Sequence, residues 1–120
     1  MAKMNPQSGD PFRPVSVDIS NREQILEIGW EDGHRSIFPL YGLRKNCPCV
    51  ACRGGHSEMG TYEMKLFFLE NPPRIEIEDL EVVGNHAVRI VWSDGHNTGM
   101  YQWELLRAMC PQTYKAGLSN

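Results

Sequence analysis

Three of the four cysteines of this 120-residue chain fall within six residues, in "RKNCPCVACRGGH" at positions 44–56. Cys47-x-Cys49-x2-Cys52 follows a helix-like stretch and runs into Gly54-Gly55. Glycines permit the tight backbone turns that let one loop aim several thiolates at one ion. Zinc takes four tetrahedral ligands from cysteine sulfur and histidine nitrogen. The loop supplies three, so a fourth must come from elsewhere.

Five residues are candidates for that fourth place. His56 is nearest, and short loops close at low entropic cost. His34 and His96 each follow an Asp-Gly pair, His86 lies in another turn, and Cys110 lies far down the chain. Spacing favours His56, whereas a meeting of two halves of the chain favours His96. The residues alone leave both open.

Other chemistries fit less well. Cys49-Val50-Ala51-Cys52 matches the C-x-x-C redox template, but no thioredoxin-like βαβ pattern surrounds it. A Cys47–Cys49 disulfide would demand a geometry that is hard to reach. Cys52 could instead be a small buried hydrophobe. His56-x-Glu58 with a distant His86 or His96 matches a 2-His-1-carboxylate iron triad only loosely. "RGGH" lacks the Lys-Ser/Thr of a phosphate loop, and there is no serine nucleophile elbow. These absences weigh against an enzyme.

The elements that must position the loop come as a repeat. Trp30 aligns with Trp92, and Asp32-Gly33-His34 with Asp94-Gly95-His96. With one extra residue in the second copy, Leu43-Arg44 aligns with Leu106-Arg107, and Cys47 with Cys110. Two related units are implied. "QILEIGW" and "AVRIVW" read as strands by alternation and β-branching. Asp-Gly after each is a hairpin signal. The return strands are "HRSIFPL" and "NTGMYQW", and the short helices "LYGLRKN" and "WELLRAM" close the units. "PVSVDIS" and "RIEIEDLEVVG" add a strand to each. Residues 53–72 are the least regular. The fold class expected is α+β: a single domain of small antiparallel sheets from two related β-hairpin–helix units.

In this frame Asp32 and Asp94 are turn residues. Trp30, Trp92 and Trp103 pack, and Cys110 belongs to the core. Arg44 and Arg107 either cap helix ends or pair with acids. Met59, Met64, Phe67 and Phe68 contribute to the core, although they also suit an interaction face.

Composition bounds the rest. At 41% hydrophobic and 22% charged the chain is globular. A net charge of −3 without a basic run argues against nucleic acid. No apolar leader or run of about 20 apolar residues points to secretion or a membrane span. A cytoplasmic location follows as the expectation, where clustered thiols favour metal over disulfides. Residues 1–13 read as a flexible N-terminal tail, 14–111 as the domain, and 112–120 as a C-terminal tail.

"W-x-D-G", "LRKNCPCVACRGG", "W-S-D-G-H" and the closing "W-x-L-L-R" together resemble the γ-butyrobetaine hydroxylase-like N-terminal domain family, a domain of unknown function. The resemblance spans about residues 14–111. It implies a small stand-alone bacterial member. Other members are fused to γ-butyrobetaine and trimethyllysine dioxygenases or joined to P-loop ATPases of iron–sulfur cluster assembly. In the dioxygenases the domain carries a structural zinc on the cysteine loop and a distant histidine. That pattern lands on Cys47, Cys49, Cys52 and His96, and favours His96 over His56. The catalytic iron and 2-oxoglutarate sites lie in another domain, so the resemblance carries over no catalytic residue. A non-catalytic zinc module acting through an unknown protein partner is the function expected. Accessory work in iron–sulfur cluster assembly, with the loop carrying iron or a cluster, is the alternative.

Overall fold

The computed structural model describes residues 9–54 and 61–118. Unit one is β1 (Pro14–Ser20), β2 (Ile25–Trp30), β3 (Arg35–Pro39) and α1 (Leu40–Lys45), followed by a one-turn α2 (Val50–Arg53). A 3-10 turn, Met64–Phe67, crosses to unit two. That unit is β4 (Ile77–Val83), β5 (Ala87–Trp92), β6 (Met100–Gln102), α3 (Trp103–Ala108) and α4 (Pro111–Leu118). The fold is α+β, with two antiparallel three-stranded sheets of order β1-β2-β3 and β4-β5-β6.

The sheets repeat each other in detail. Leu26 pairs with Phe38 in one sheet, as Val88 pairs with Tyr101 in the other. Both first strands carry a register shift near the start, at Pro14/Ser16 and Ile77/Asp79. Both Asp-Gly turns close alike: Trp30 N donates to His34 O and Trp92 N to His96 O, each at 2.9 Å. Gly33 (φ 92) and Gly95 (φ 88) adopt the left-handed backbone such a turn needs.

Alternation then decides what is buried. Leu26, Ile28, Trp30 and Phe38 of sheet one form a single core with Val88, Ile90, Trp92 and Tyr101 of sheet two. Leu40, Leu43, Leu106 and Met109 from α1, α3 and its C-terminal cap complete it. Each such side chain stabilises the fold by roughly 1.5–3 kcal/mol relative to exposure. All three tryptophans are buried, as is Cys110. Phe67 is buried and Met64 packs against the core, whereas Phe68 is largely exposed. Met59 lies outside the described residues.

Residues 111–118, most of them expected as a C-terminal tail, form α4. Tyr114 N donates to Cys110 O. The Gln112 amide clasps the β3 edge, accepting from Ile37 N at 2.7 Å and donating to Ile37 O at 3.2 Å. Pro111 at the first helical turn loses no hydrogen bond there.

Candidate metal centre

The cysteine loop is held open by its own backbone. α1 ends at Asn46, which is buried. Its amide donates to Gly42 O and Glu63 O and accepts from Glu63 N at 2.7 Å. Arg53 donates to Lys45 O at 2.8 Å and Thr61 O at 3.2 Å. Cys49 caps α2, its sulfur accepting from Cys52 N at 3.4 Å. These bonds point three sulfurs at one spot.

His96 occupies that spot from the other unit. Its Nε2 lies 3.1 Å from Cys47 Sγ and 3.5 Å from both Cys49 Sγ and Cys52 Sγ. The four donor atoms all lie within 4.8 Å of one another and could hold a metal ion. The structure thus brings together Cys47, Cys49, Cys52 and His96. Cys47 and Cys49 are buried, Cys52 and His96 half-buried. His56 and Glu58 lie outside the described residues, so the loose iron triad lies outside them too. His86 is exposed, and Cys110 sits by His34 instead, 3.2 Å from its Nε2.

The surroundings tune the sulfurs. Burial pushes the Cys47 thiol up to about 12. Burial also opposes ionisation at Cys49, but hydrogen bonds from Thr98, from Cys52 and from Cys47 outweigh it and bring Cys49 down to about 6. Cys49 thus ionises more readily than Cys47, and a cation bound here would draw the proton from Cys47. Arg44 spans the seam. It pairs with Asp94 Oδ2 at 3.0 Å and reaches Cys52 Sγ at 3.7 Å. Asp94 Oδ1 in turn accepts from His96 N at 3.1 Å, fixing the ligand's backbone. Such outer contacts orient metal ligands.

The undecided arginines are resolved as crossed ion pairs. Arg44 of unit one holds Asp94 of unit two, and Arg107 of unit two holds Asp32 of unit one at 2.9 and 3.1 Å.

Two residues were not anticipated. Thr98 Oγ1 lies 3.4 Å from His96 Nε2. Gly99 leaves the space for a ligand: a Cβ there would approach Cys47 Sγ closer than 3.0 Å. The signal was a departure from the repeat. By strand register Gly99 takes the place of Ser36, whose hydroxyl accepts from Trp30 Nε1 at 2.9 Å. Among the described residues Trp92 Nε1 is buried without a hydrogen-bond partner. The second unit gives up that hydroxyl, and the room goes to the sulfur.

Similar structures share this fold. One is the crystal structure of a protein of unknown function of the DUF971 family from Acidithiobacillus ferrooxidans. It is 27% identical over 82% of this chain and 93% of that one, with a TM-score of 0.62. Another, solved in solution by NMR, is 25% identical over 98% of this chain and 84% of its own, with a TM-score of 0.66. Residues 17–107 match the family described as gamma-butyrobetaine hydroxylase-like, N-terminal, and the chain belongs to that family.

Proposed function

We propose that the chain is a non-catalytic zinc-binding module whose Cys3His centre is structural and which acts through a protein partner. The observation that carries this reading is the convergence of three sulfurs and one imidazole from two different units. Four protein donors fill a tetrahedral shell and leave no position for a substrate, the mark of a structural site. Three thiolates around a divalent ion leave one negative charge, which Arg44 beside Cys52 offsets. Because the donors meet only in the folded chain, metal affinity adds to stability.

One observation favours a second reading. Cys52 is half-buried rather than sealed, so the centre has an open side. Thiolates also suit iron, and an accessory role in iron–sulfur cluster assembly would use that opening to exchange iron or a cluster.

Elemental analysis and a visible spectrum of protein purified without air separate the two. One zinc per chain without colour supports the structural module. Iron with sulfide and visible absorbance overturns it in favour of the carrier. In either case Cys49→Ser and His96→Ala lose the metal and melt lower. An unchanged melting curve in metal-replete protein refutes a structural role.

A further inference from the structure

The metal loop has a counterpart in the second unit. Cys47-Pro48 aligns with Cys110-Pro111, Cys49 with Gln112 and Cys52 with Lys115. α4 stands where α2 stands in unit one. The partner histidine is exchanged in the same way. His96 Nε2 lies 3.1 Å from Cys47 Sγ, and His34 Nε2 lies 3.2 Å from Cys110 Sγ. A threonine hydroxyl flanks each imidazole: Thr98 at 3.4 Å and Thr113 at 3.3 Å. Each histidine N–H is held by the aspartate of its own turn, and each aspartate by the arginine of the other unit.

We propose that Cys110 and His34 form a second metal-binding site, specific for a soft monovalent cation of the Cu(I) type. Two donors remain where the first centre has four. A divalent ion that demands four ligands is therefore poorly served, whereas a thiophilic monovalent ion is satisfied by one thiolate and one imidazole. Neighbouring oxygens do not change that count, the Thr113 hydroxyl 3.3 Å from His34 Nε2 being a neutral, weak donor to a soft ion. The Gln112 Oε1, 3.5 Å from Cys110 Sγ, is committed to Ile37 N. Asp32 is clasped by Arg107 through two hydrogen bonds. His34 is half-buried and Thr113 exposed, which opens a path to the buried sulfur. The sulfur–nitrogen pair is 3.2 Å apart, and an ion held in line between the two spreads it by about 1 Å, since bonds of roughly 2.3 and 2.0 Å reach about 4.3 Å.

The test counts copper by difference. Zinc-treated full-length wild type, Cys110→Ser and His34→Ala are titrated with Cu(I) from a coloured chelator, and bound copper per chain is read. Whatever Cu(I) does at the first centre is common to all three, so the difference reports this site alone. The wild type should bind one more Cu(I) than either variant. Equal stoichiometry in all three overturns the proposal. Loss in Cys110→Ser alone also overturns it, because a single thiol is then sufficient. If the buried Cys110→Ser does not fold, His34→Ala and the perturbation of the His34 imidazole resonances by Cu(I) decide the matter. These outcomes are independent of whether the first centre holds zinc or iron.

Discussion

Gly99→Ala isolates the space that a ligand needs. The added methyl would lie within 3.0 Å of Cys47 Sγ, with Tyr101 Cε1 at 3.4 Å and Pro48 Cδ at 3.5 Å on its other sides. Atoms of this size settle at about 3.5–4.0 Å. The overlap is with the sulfur, and the sulfur cannot retreat freely: it is fully buried and has His96 Nε2 3.1 Å away. Overpacking of this kind costs about 1–3 kcal/mol. Against it stands the lower entropy of the unfolded alanine chain, worth about 0.4–1 kcal/mol. The net loss is at most about 2.5 kcal/mol, with weaker metal retention because the displaced atom is a candidate donor. Chemical denaturation with and without metal, and a metal competition titration, measure both. In a Cys47→Ala background the methyl has room, and the cost should fall close to zero. Gly117→Ala, in α4 with nothing near its Cβ, should instead stabilise by about 0.5–1 kcal/mol. A Gly99→Ala protein that matches wild type in stability and metal affinity, or one equally destabilised without Cys47, refutes the reasoning.

Three further outcomes are expected. Arg107→Ala removes both hydrogen bonds to Asp32 at a site where each side chain is less than one-fifth exposed. It should cost about 1.5–3 kcal/mol by denaturation, and Arg44→Ala should cost less because Asp94 is 44% exposed. The first loss should depend on pH. The Arg107 hydrogen bonds hold Asp32 below the usual carboxylate range despite the opposing effect of burial. A depressed carboxylate contributes stability that is fully present above the unfolded value of about 3.9 and lost as pH falls through the folded value. The gap between wild type and Arg107→Ala should therefore close as pH drops below about 4. Last, Trp30→Phe strands the Ser36 hydroxyl, whereas Trp92→Phe removes an indole N–H that has no hydrogen-bond partner among the described residues. The first should be the more destabilising by roughly 1 kcal/mol.

Much of this arrangement was legible in the residues. Period-two alternation ending in Asp-Gly marks both hairpins, because one face of each strand meets the core and the turn needs a left-handed glycine. The cysteine spacing marks the loop. The residues alone left His56 and His96 open, since that choice depends on how the two units dock, and only the family resemblance favoured His96. Nor was the crossing of the arginines: the repeat shows that Arg44 and Arg107 are equivalent, not that each reaches into the other unit. α4 escaped notice because Pro, Thr and Gly are weak helix formers, whereas Gln112 grips β3 and ties the helix down. Thr98 and Gly99 matter through positions at which the two units differ, and a difference carries meaning only once the register is known.

The seam between the units also sets an order of events for the folding chain. Each sheet is assembled from neighbours in sequence, but the contacts of His96 with Cys52 and of His34 with Cys110 across the seam join residues 44 and 76 positions apart. Closing such distances is entropically slow relative to forming a hairpin. Two half-formed sheets should thus appear early and the ligand set late. A cation bound at this centre would meet a partly assembled protein as three thiols on one loop and act as a latch on the last step. Its supply during synthesis, rather than the intrinsic speed of either hairpin, would then govern how long the apolar faces of Trp30 and Trp92 stay open to other chains.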